Sequence, residues 1–220
     1  MASVLVPWRG GCTHREAAWR WVAARYAERH PGWRVIRCEC PNGPWVKALA
    51  VMPVVAECPS GPMIVADADC WCEGLKGAVA AVEAGAPWAV PHRRVNRLSA
   101  SSTAAVLDGA DPHGLPLEEA HVGVRGGGIV IAPRDTLLAV PLDPRFEGWG
   151  GEDASWGIAL TALAGQPWRG SEGLIHLWHP PQERPSRLVG SQANHRLNMR
   201  YLRAAKSKTA MRALVAEIGG

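Results

Sequence analysis

Short apolar runs and amphipathic stretches take turns along the first half of the chain. Ser3–Val6 is an unbroken apolar run closed by Pro7 and the Gly10-Gly11 pair, the pattern of a strand buried on both faces. Trp19, Val22, Ala23 and Tyr26 then share one helical face, behind a Thr13-His14-Arg15-Glu16 capping box with Thr13 as the expected N-cap. Pro31-Gly32 stops that helix, and Trp33–Cys38 reads as a second strand. Pro44 suits the first turn of a helix from about Trp45 to Glu57, with Pro53 inside it as a kink. Pro62–Ala66 is a third apolar strand that runs straight into Asp67-Ala68-Asp69. A Gly/Ala-rich helix to Glu83 and a strand near Trp88–Val90 follow.

Strand and helix alternate three times in this stretch, which predicts an α/β fold on a mixed, mainly parallel sheet flanked by helices. Such sheets bind ligands at the carboxyl ends of their strands, where Arg9, Asp67 and Asp69 fall. Residues 91–125 are polar and weakly periodic and read as one long functional loop. Regular structure resumes with a strand at Gly128–Ala132 and a short helix after Pro133. A loop at Phe146–Asp153, a helix to about Ala164, a strand at Leu174–Trp178 and a basic helix over Asn198–Ile218 complete the chain. No internal repeat is apparent.

Composition narrows the classes. The 220 residues fit one domain, and 47% hydrophobic with 20% charged residues excludes wholesale disorder. No stretch approaches twenty uninterrupted apolar residues, and the N-terminus lacks a basic leader, so neither a membrane span nor a signal peptide is expected. A cytoplasmic protein follows as the expectation, from a GC-rich bacterium or phage, since Arg far outnumbers Lys. The net charge of +4 is unevenly placed: residues 181–220 hold eight Lys/Arg against two Asp/Glu, and the rest is slightly acidic. The tail helix therefore reads as a solvated basic face, and nucleic acid is not an expected partner. The six cysteines all lie within the first 72 residues. Their Cys-x-Cys spacings at 38/40 and 70/72 do not match the usual zinc patterns, and they read as small buried hydrophobes.

Three segments carry candidate chemistry. Asp67 and Asp69 at a strand end can share a divalent cation, although strand ends also favour Asp for turn geometry. Phe146-Glu147-Gly148-Trp149-Gly150-Gly151-Glu152-Asp153 joins backbone freedom, a stacking face and two carboxylates at a helix start. His176 and His179 stand three apart beside Pro180-Pro181, which raises metal binding above the usual reading of a lone core histidine.

The order of strand-Asp-x-Asp, Gly-Gly before an apolar strand, Trp-Gly-Gly-Glu-Asp and a late His resembles the GT-A fold glycosyltransferases. The similarity is greatest to the galactosyltransferase-like group, which includes β-1,4-galactosyltransferases and chondroitin-polymerase-type bacterial enzymes. It covers residues 3–181, with its most specific block at Gly126–Asp153. The resemblance implies a single GT-A (Rossmann-like) catalytic domain over residues 1–181 and leaves 182–220 as a basic helical tail. It implies that Pro7, Trp8 and Arg9 approach the nucleotide, that Glu39 meets the uracil or ribose, and that Lys47 packs near the nucleobase. Asp67 would face the ribose or metal, and Asp69 with His176 or His179 would bind Mn²⁺ or Mg²⁺. Gly127, Gly128 and Trp149 would line the sugar and acceptor, Glu152 would hold a sugar hydroxyl, and Asp153 would be the catalytic base. The implied partners are a UDP-sugar donor and an acceptor that can be a protein, a glycan or a small molecule. The implied reaction is inverting transfer of a hexose or N-acetylhexosamine. The retaining polypeptide N-acetylgalactosaminyltransferases carry Asn where this chain has Asp153, and retention is the alternative. A non-catalytic nucleotide-sugar-binding module is a second alternative, and a zinc-stabilised nucleic-acid-binding protein has no motif to support it.

Overall fold

The computed structural model describes residues 1–180 and 191–219, so the domain boundary expected between 181 and 182 lies outside the described residues. The chain opens with strand β1 (Ser3–Trp8), helix α1 (Thr13–Arg29), β2 (Arg34–Glu39), α2 (Lys47–Glu57) and β3 (Pro62–Ala66). It continues through β4 (Cys70–Trp71), α3 (Leu75–Glu83), β5 (Ala89–Leu98), α4 (Ala100–Leu107) and β6 (Leu117–Val122). Then follow β7 (Ile129–Pro133), α5 (Arg134–Ala139), α6 (Glu152–Leu163), β8 (Trp168–His176), α7 (Gln192–Ala204) and α8 (Lys208–Ala216). The strands form one mixed sheet in the order β2-β1-β3-β7-β5-β8-β4, with β6 added on β5. Pairing is parallel across β2-β1-β3 and between β5 and β8. It is antiparallel on both sides of β7 and where β4 and β6 join. The predicted α/β sheet flanked by helices is what the chain forms.

The central strands are apolar throughout because helices cover both faces. Along β1, Val4, Val6 and Trp8 enter one core and Leu5 the other; along β3, Ile64 and Ala66 face one side and Met63 and Val65 the other. In β7 the split is Ile129 and Ile131 against Val130 and Ala132. This two-residue alternation is the pleat itself. Each valine, leucine, isoleucine or methionine among them contributes about 1.5–3 kcal/mol when fully buried. A charged residue at Ile64, which is 0% exposed, would therefore break the sheet's centre.

Several local expectations are corrected. β1 runs on through Pro7 to Trp8, because pairing with β3 ends at Leu5 and beyond it the strand pairs only with β2. At α1, Cys12 rather than Thr13 is the N-cap, and the Glu16 carboxylate accepts from the Gly11 N–H at 3.3 Å. Residues 91–125 are not one loop: they hold the rest of β5, then α4 and β6. Polar residues obscured the pattern, since β6 is exposed along almost its whole length. The C-terminal helix is two helices, α7 and α8, separated around Ser207, which caps α8. Their exposed faces carry Arg196, Arg200 and Arg203, while Leu197, Tyr201, Met211 and Leu214 pack with Trp156 and Leu160 of α6. Beneath them Asp143 accepts from Arg145 and from the Tyr201 hydroxyl at 2.8 Å. Burial alone would raise the Asp143 carboxyl, but these donors outweigh it and hold it below its ordinary value. Among the described residues no helix is long and apolar enough to cross a membrane.

Candidate active site

The strand order β2-β1-β3 places a crevice at the carboxyl ends of β1 and β3, because α1 carries the chain to one side of β1 and α2 returns it to the other. A cleft of about 340 Å³ opens there, lined among others by Trp8, Arg9 and Arg15. Trp45, Lys47, Asp67, Asp69, Trp149 to Ala154, His176 and His179 line it as well.

Two charged constellations line this cleft. Lys47, at the start of α2, is 8% exposed and donates to Asp67 Oδ1 and Asp153 Oδ1, each at 3.0 Å. Burial opposes the lysine's charge, but Asp153 and Asp67 outweigh it and hold the group far above an ordinary lysine. Asp153 is pushed upward by burial, against the pull of Lys47. Glu152 is raised to about 7, first by burial and then by the charge of Asp153, and its carboxylate accepts from the Gly150 N–H at 2.8 Å. Gly150 and Gly151 have φ of 109° and 89°, so the turn into α6 that presents both carboxylates needs glycine. On the other side of Asp153, a Cβ on Gly126 would run into the Asp153 carbonyl, and one on Gly127 would lie 3.3 Å from Asp153 Oδ2.

The second constellation is Asp69, His176 and His179, whose donor atoms lie within 4.8 Å of one another. His176 Nε2 is 3.9 Å from Asp69 Oδ1, and His179 Nε2 is 3.3 Å from Asp69 Oδ2. Each Nδ1 sits on a backbone carbonyl, Leu177 O at 2.9 Å and Pro180 O at 2.8 Å. A carbonyl only accepts, so in the neutral rings each Nδ1 carries the hydrogen and each Nε2 keeps its lone pair. Burial lowers His176 below its ordinary value, favouring that neutral form. Burial would raise Asp69, but His176, His179 and Arg15 outweigh it and hold the carboxyl low. Two imidazole nitrogens and a carboxylate oxygen gathered this closely are a donor set that can share one cation. The residues present therefore fit a divalent metal ion.

The remaining predicted residues separate. Trp149 stacks on Trp45, with centroids 5.5 Å apart and 19° between planes, and Arg15 lies 4.8 Å over Trp149. Pro7 and Trp8 line the cleft. Arg9 lines it too, but its guanidinium donates to the carbonyls of Pro41, Gly43 and Pro44 and so staples the loop before α2. Glu39 does not line the cleft; it is exposed and pairs with Arg37 at 3.0 Å. Gly127 and Gly128 support the site from behind: Gly127 backs Asp153, and the Gly128 carbonyl accepts from the Asp67 N–H at 2.9 Å. Asp67 lies on Lys47 rather than within the histidine cluster. Sequence reasoning missed Arg15, Trp45 and Arg97. Arg15 lies inside the expected capping box and Arg97 inside the expected loop, while Trp45, two residues before Lys47, reads in sequence only as the start of a helix.

Sheet order, crevice and strand-end carboxylates together define a GT-A fold. Within that fold the chain is similar to GalNAc-T7, whose crystal structure contains UDP, GalNAc and Mn²⁺, with a TM-score of 0.55 and 13% identity. That superposition covers 92% of this chain and 48% of the other, so the chain spans about half that protein's length. It is also similar to residues 1–349 of TarS from S. aureus in complex with UDP-GlcNAc, with a TM-score of 0.50 and 12% identity over 99% of this chain and 71% of the other. Identities this low define a shared fold. No family model and no curated protein matches the sequence.

Proposed function

We propose that the protein is a metal-dependent inverting glycosyltransferase of the galactosyltransferase-like group. It would move a hexose or N-acetylhexosamine from a UDP-sugar to an acceptor hydroxyl. The observation that carries this reading is that Asp153 and the Asp69/His176/His179 cluster open into the same cleft. Asp69, His176 and His179 would hold the ion, and two imidazole nitrogens favour Mn²⁺ over Mg²⁺, which prefers oxygen. When bound, that ion supplies positive charge to offset the charge of the departing nucleoside diphosphate. Arg15 and Arg97 add fixed positive charge to the same cleft.

Asp153 accepts the proton of the attacking hydroxyl. Its Oδ1 is anchored by Lys47, so Oδ2 is the oxygen left to take the proton. A carboxyl pushed upward by burial is a better base than an exposed one, and Lys47 keeps it ionised. An amide at this position would accept no proton, which favours inversion over retention. Lys47 is a positioning residue that ties the base to Asp67, whose second oxygen is free for a ribose hydroxyl. Glu152 shapes the glycine turn and presents its carboxyl to a sugar hydroxyl. The Trp45–Trp149 stack offers an apolar face to the nucleobase or sugar.

The test is UDP release from a panel of UDP-sugars with Mn²⁺, with the anomeric configuration of the product read by NMR. Asp69→Ala should abolish release, and Asp153→Asn should lower kcat on the order of 10³-fold while UDP–Mn²⁺ binding persists. Donor binding without turnover in the wild type would instead identify a nucleotide-sugar-binding module.

A further inference from the structure

Beyond Val124 and Ala154, which line the transfer cleft, lies a second cavity of about 470 Å³ that shares both residues as its wall. Its floor is apolar, made by Val124, Ala154, Ile158 and Ala162. Two arginines rise from it. Arg169 is fixed by donating to the Gly123 carbonyl at 2.8 Å and to the His92 carbonyl at 3.3 Å. Arg125 donates to Gln166 Oε1 at 2.8 Å. A guanidinium carries five N–H groups, so each keeps donors uncommitted. Among the described residues neither pairs with a carboxylate, and no acidic side chain lines the cavity. The charge of Arg93 also falls on Arg169, and burial together with Arg125 and Arg93 lowers that guanidinium's affinity for its proton. A concave apolar surface edged by uncompensated arginines is complementary to an anion with an apolar body.

Its position relative to Asp153 is fixed by the backbone. Gly126 packs against the first turn of α6, so the next residue back, Arg125, runs along that helix and its guanidinium reaches within 3.5 Å of Thr161 Oγ1. From Asp153 to Thr161 is eight residues of helix, roughly 12 Å at 1.5 Å per residue.

We propose that this cavity is the acceptor subsite and that the acceptor is anionic. A carboxylate or phosphate is held by Arg125 and Arg169, the apolar body lies on Val124, Ile158 and Ala162, and the hydroxyl passes the Val124–Ala154 divide to Asp153. The transfer role rests on the glycosyltransferase reading above. A neutral glycan acceptor fits less well, because the cavity offers it no carboxylate or amide acceptor.

The probe is 8-hydroxyoctanoate, whose hydroxyl and carboxylate lie roughly the required distance apart, titrated calorimetrically into the full chain without donor or metal. Its methyl ester and the monophosphate of octane-1,8-diol complete the set. The two anions should bind about tenfold tighter than the ester, and Arg125→Gln should erase that difference while leaving ester affinity unchanged. Ala162→Glu should exclude the anions, and Arg212→Gln, an exposed change on α8, should alter nothing. Thermal melts establish that each variant is folded. Binding by only one of the two anions identifies which acid the subsite takes. Equal affinity of anion and ester, no binding by any of the three, or an unchanged preference in Arg125→Gln overturns the proposal. UDP release with failed anion binding would sink this inference alone. Anion binding with no UDP release under any donor would sink the transferase reading and leave an anion site.

Discussion

Asp67 and Asp69 stand two residues apart at the end of one strand, yet Asp67 is turned to a lysine and Asp69 to two histidines. In a continuing strand both would lie on one face. The chain instead turns after Asp67, whose carbonyl accepts from the Cys70 N–H at 3.2 Å, and the two carboxylates part. The Asp67 side is supplied with its own cation, Lys47, which reaches on to Asp153. The Asp69 side has a carboxylate and two imidazoles, and the nearest arginine, Arg15, is 4.0 Å away. One half of the Asp-x-Asp is thus an internal ion pair with Lys47 that reaches on to Asp153, and the other is a carboxylate grouped with two imidazoles. Their responses to substitution should differ accordingly.

The largest effect is expected at Lys47. Lys47→Met leaves Asp67, Asp153 and Glu152 facing one another with no cation, and breaking a buried pair costs about 3–5 kcal/mol. Asp67 and Asp153 keep 33% and 27% of their side-chain surface, so the lower end, about 3 kcal/mol, is expected in urea unfolding. Asp69→Ala, by contrast, removes a carboxylate whose partners His176, His179 and Arg15 stand 3.9, 3.3 and 4.0 Å away, and should cost metal-free stability only about 1 kcal/mol. A larger loss from Asp69→Ala than from Lys47→Met would invert the comparison. Smaller, and confined to the second constellation, is the effect of His179→Ala. Mn²⁺ affinity, read from the free-ion signal in electron paramagnetic resonance, should fall about tenfold or more, with metal-free stability unchanged. An unaltered Mn²⁺ affinity would remove His179 from the ligand set.

How much of this was legible in the sequence follows the same division. The apolar strands of β1, β3 and β7 announced themselves because both faces are buried and the runs are unbroken. Residues 91–125 did not, because β6 is exposed and its pairing with β5 is a long-range fact that leaves no apolar period. Asp69, His176 and His179 were found as separate motifs, and β4 pairing with β8 is what brings them together, with Cys70 opposite His176. The family resemblance implies that Lys47 packs near the nucleobase, yet its contacts are Asp67 and Asp153. No local pattern links residues 47 and 153, so only the fold could reveal that bridge. The same holds for Arg125 and Arg169, which are ordinary charges in sequence and acquire meaning from the cavity between them.

The subtlest effect concerns the charge balance of the lysine side, where one ammonium faces Asp67, Glu152 and Asp153. The excess is relieved at Glu152, raised from 4.5 to about 7 by burial and by Asp153. The sign follows from proton linkage. Between pH 4.5 and about 7 the folded chain holds a proton that the unfolded chain has released, so this group makes stability fall as pH rises through that window and level off above it. Asp143, held below its ordinary value by Arg145 and Tyr201, acts oppositely: its stabilisation is present above the unfolded value of 3.8 and is lost as acidity increases below it. The two windows do not overlap, so they are separable in one series of unfolding curves. Glu152→Gln keeps an oxygen for the Gly150 N–H and carries no charge. Its stability relative to the wild type should rise between pH 4.5 and 7, stay constant on the acid limb, and exceed the wild type's at pH 8, the buried histidines such as His92 contributing equally to both proteins. Parallel curves for the two proteins across that range would show that Glu152 does not hold the proton, and that Lys47 alone balances the three carboxylates.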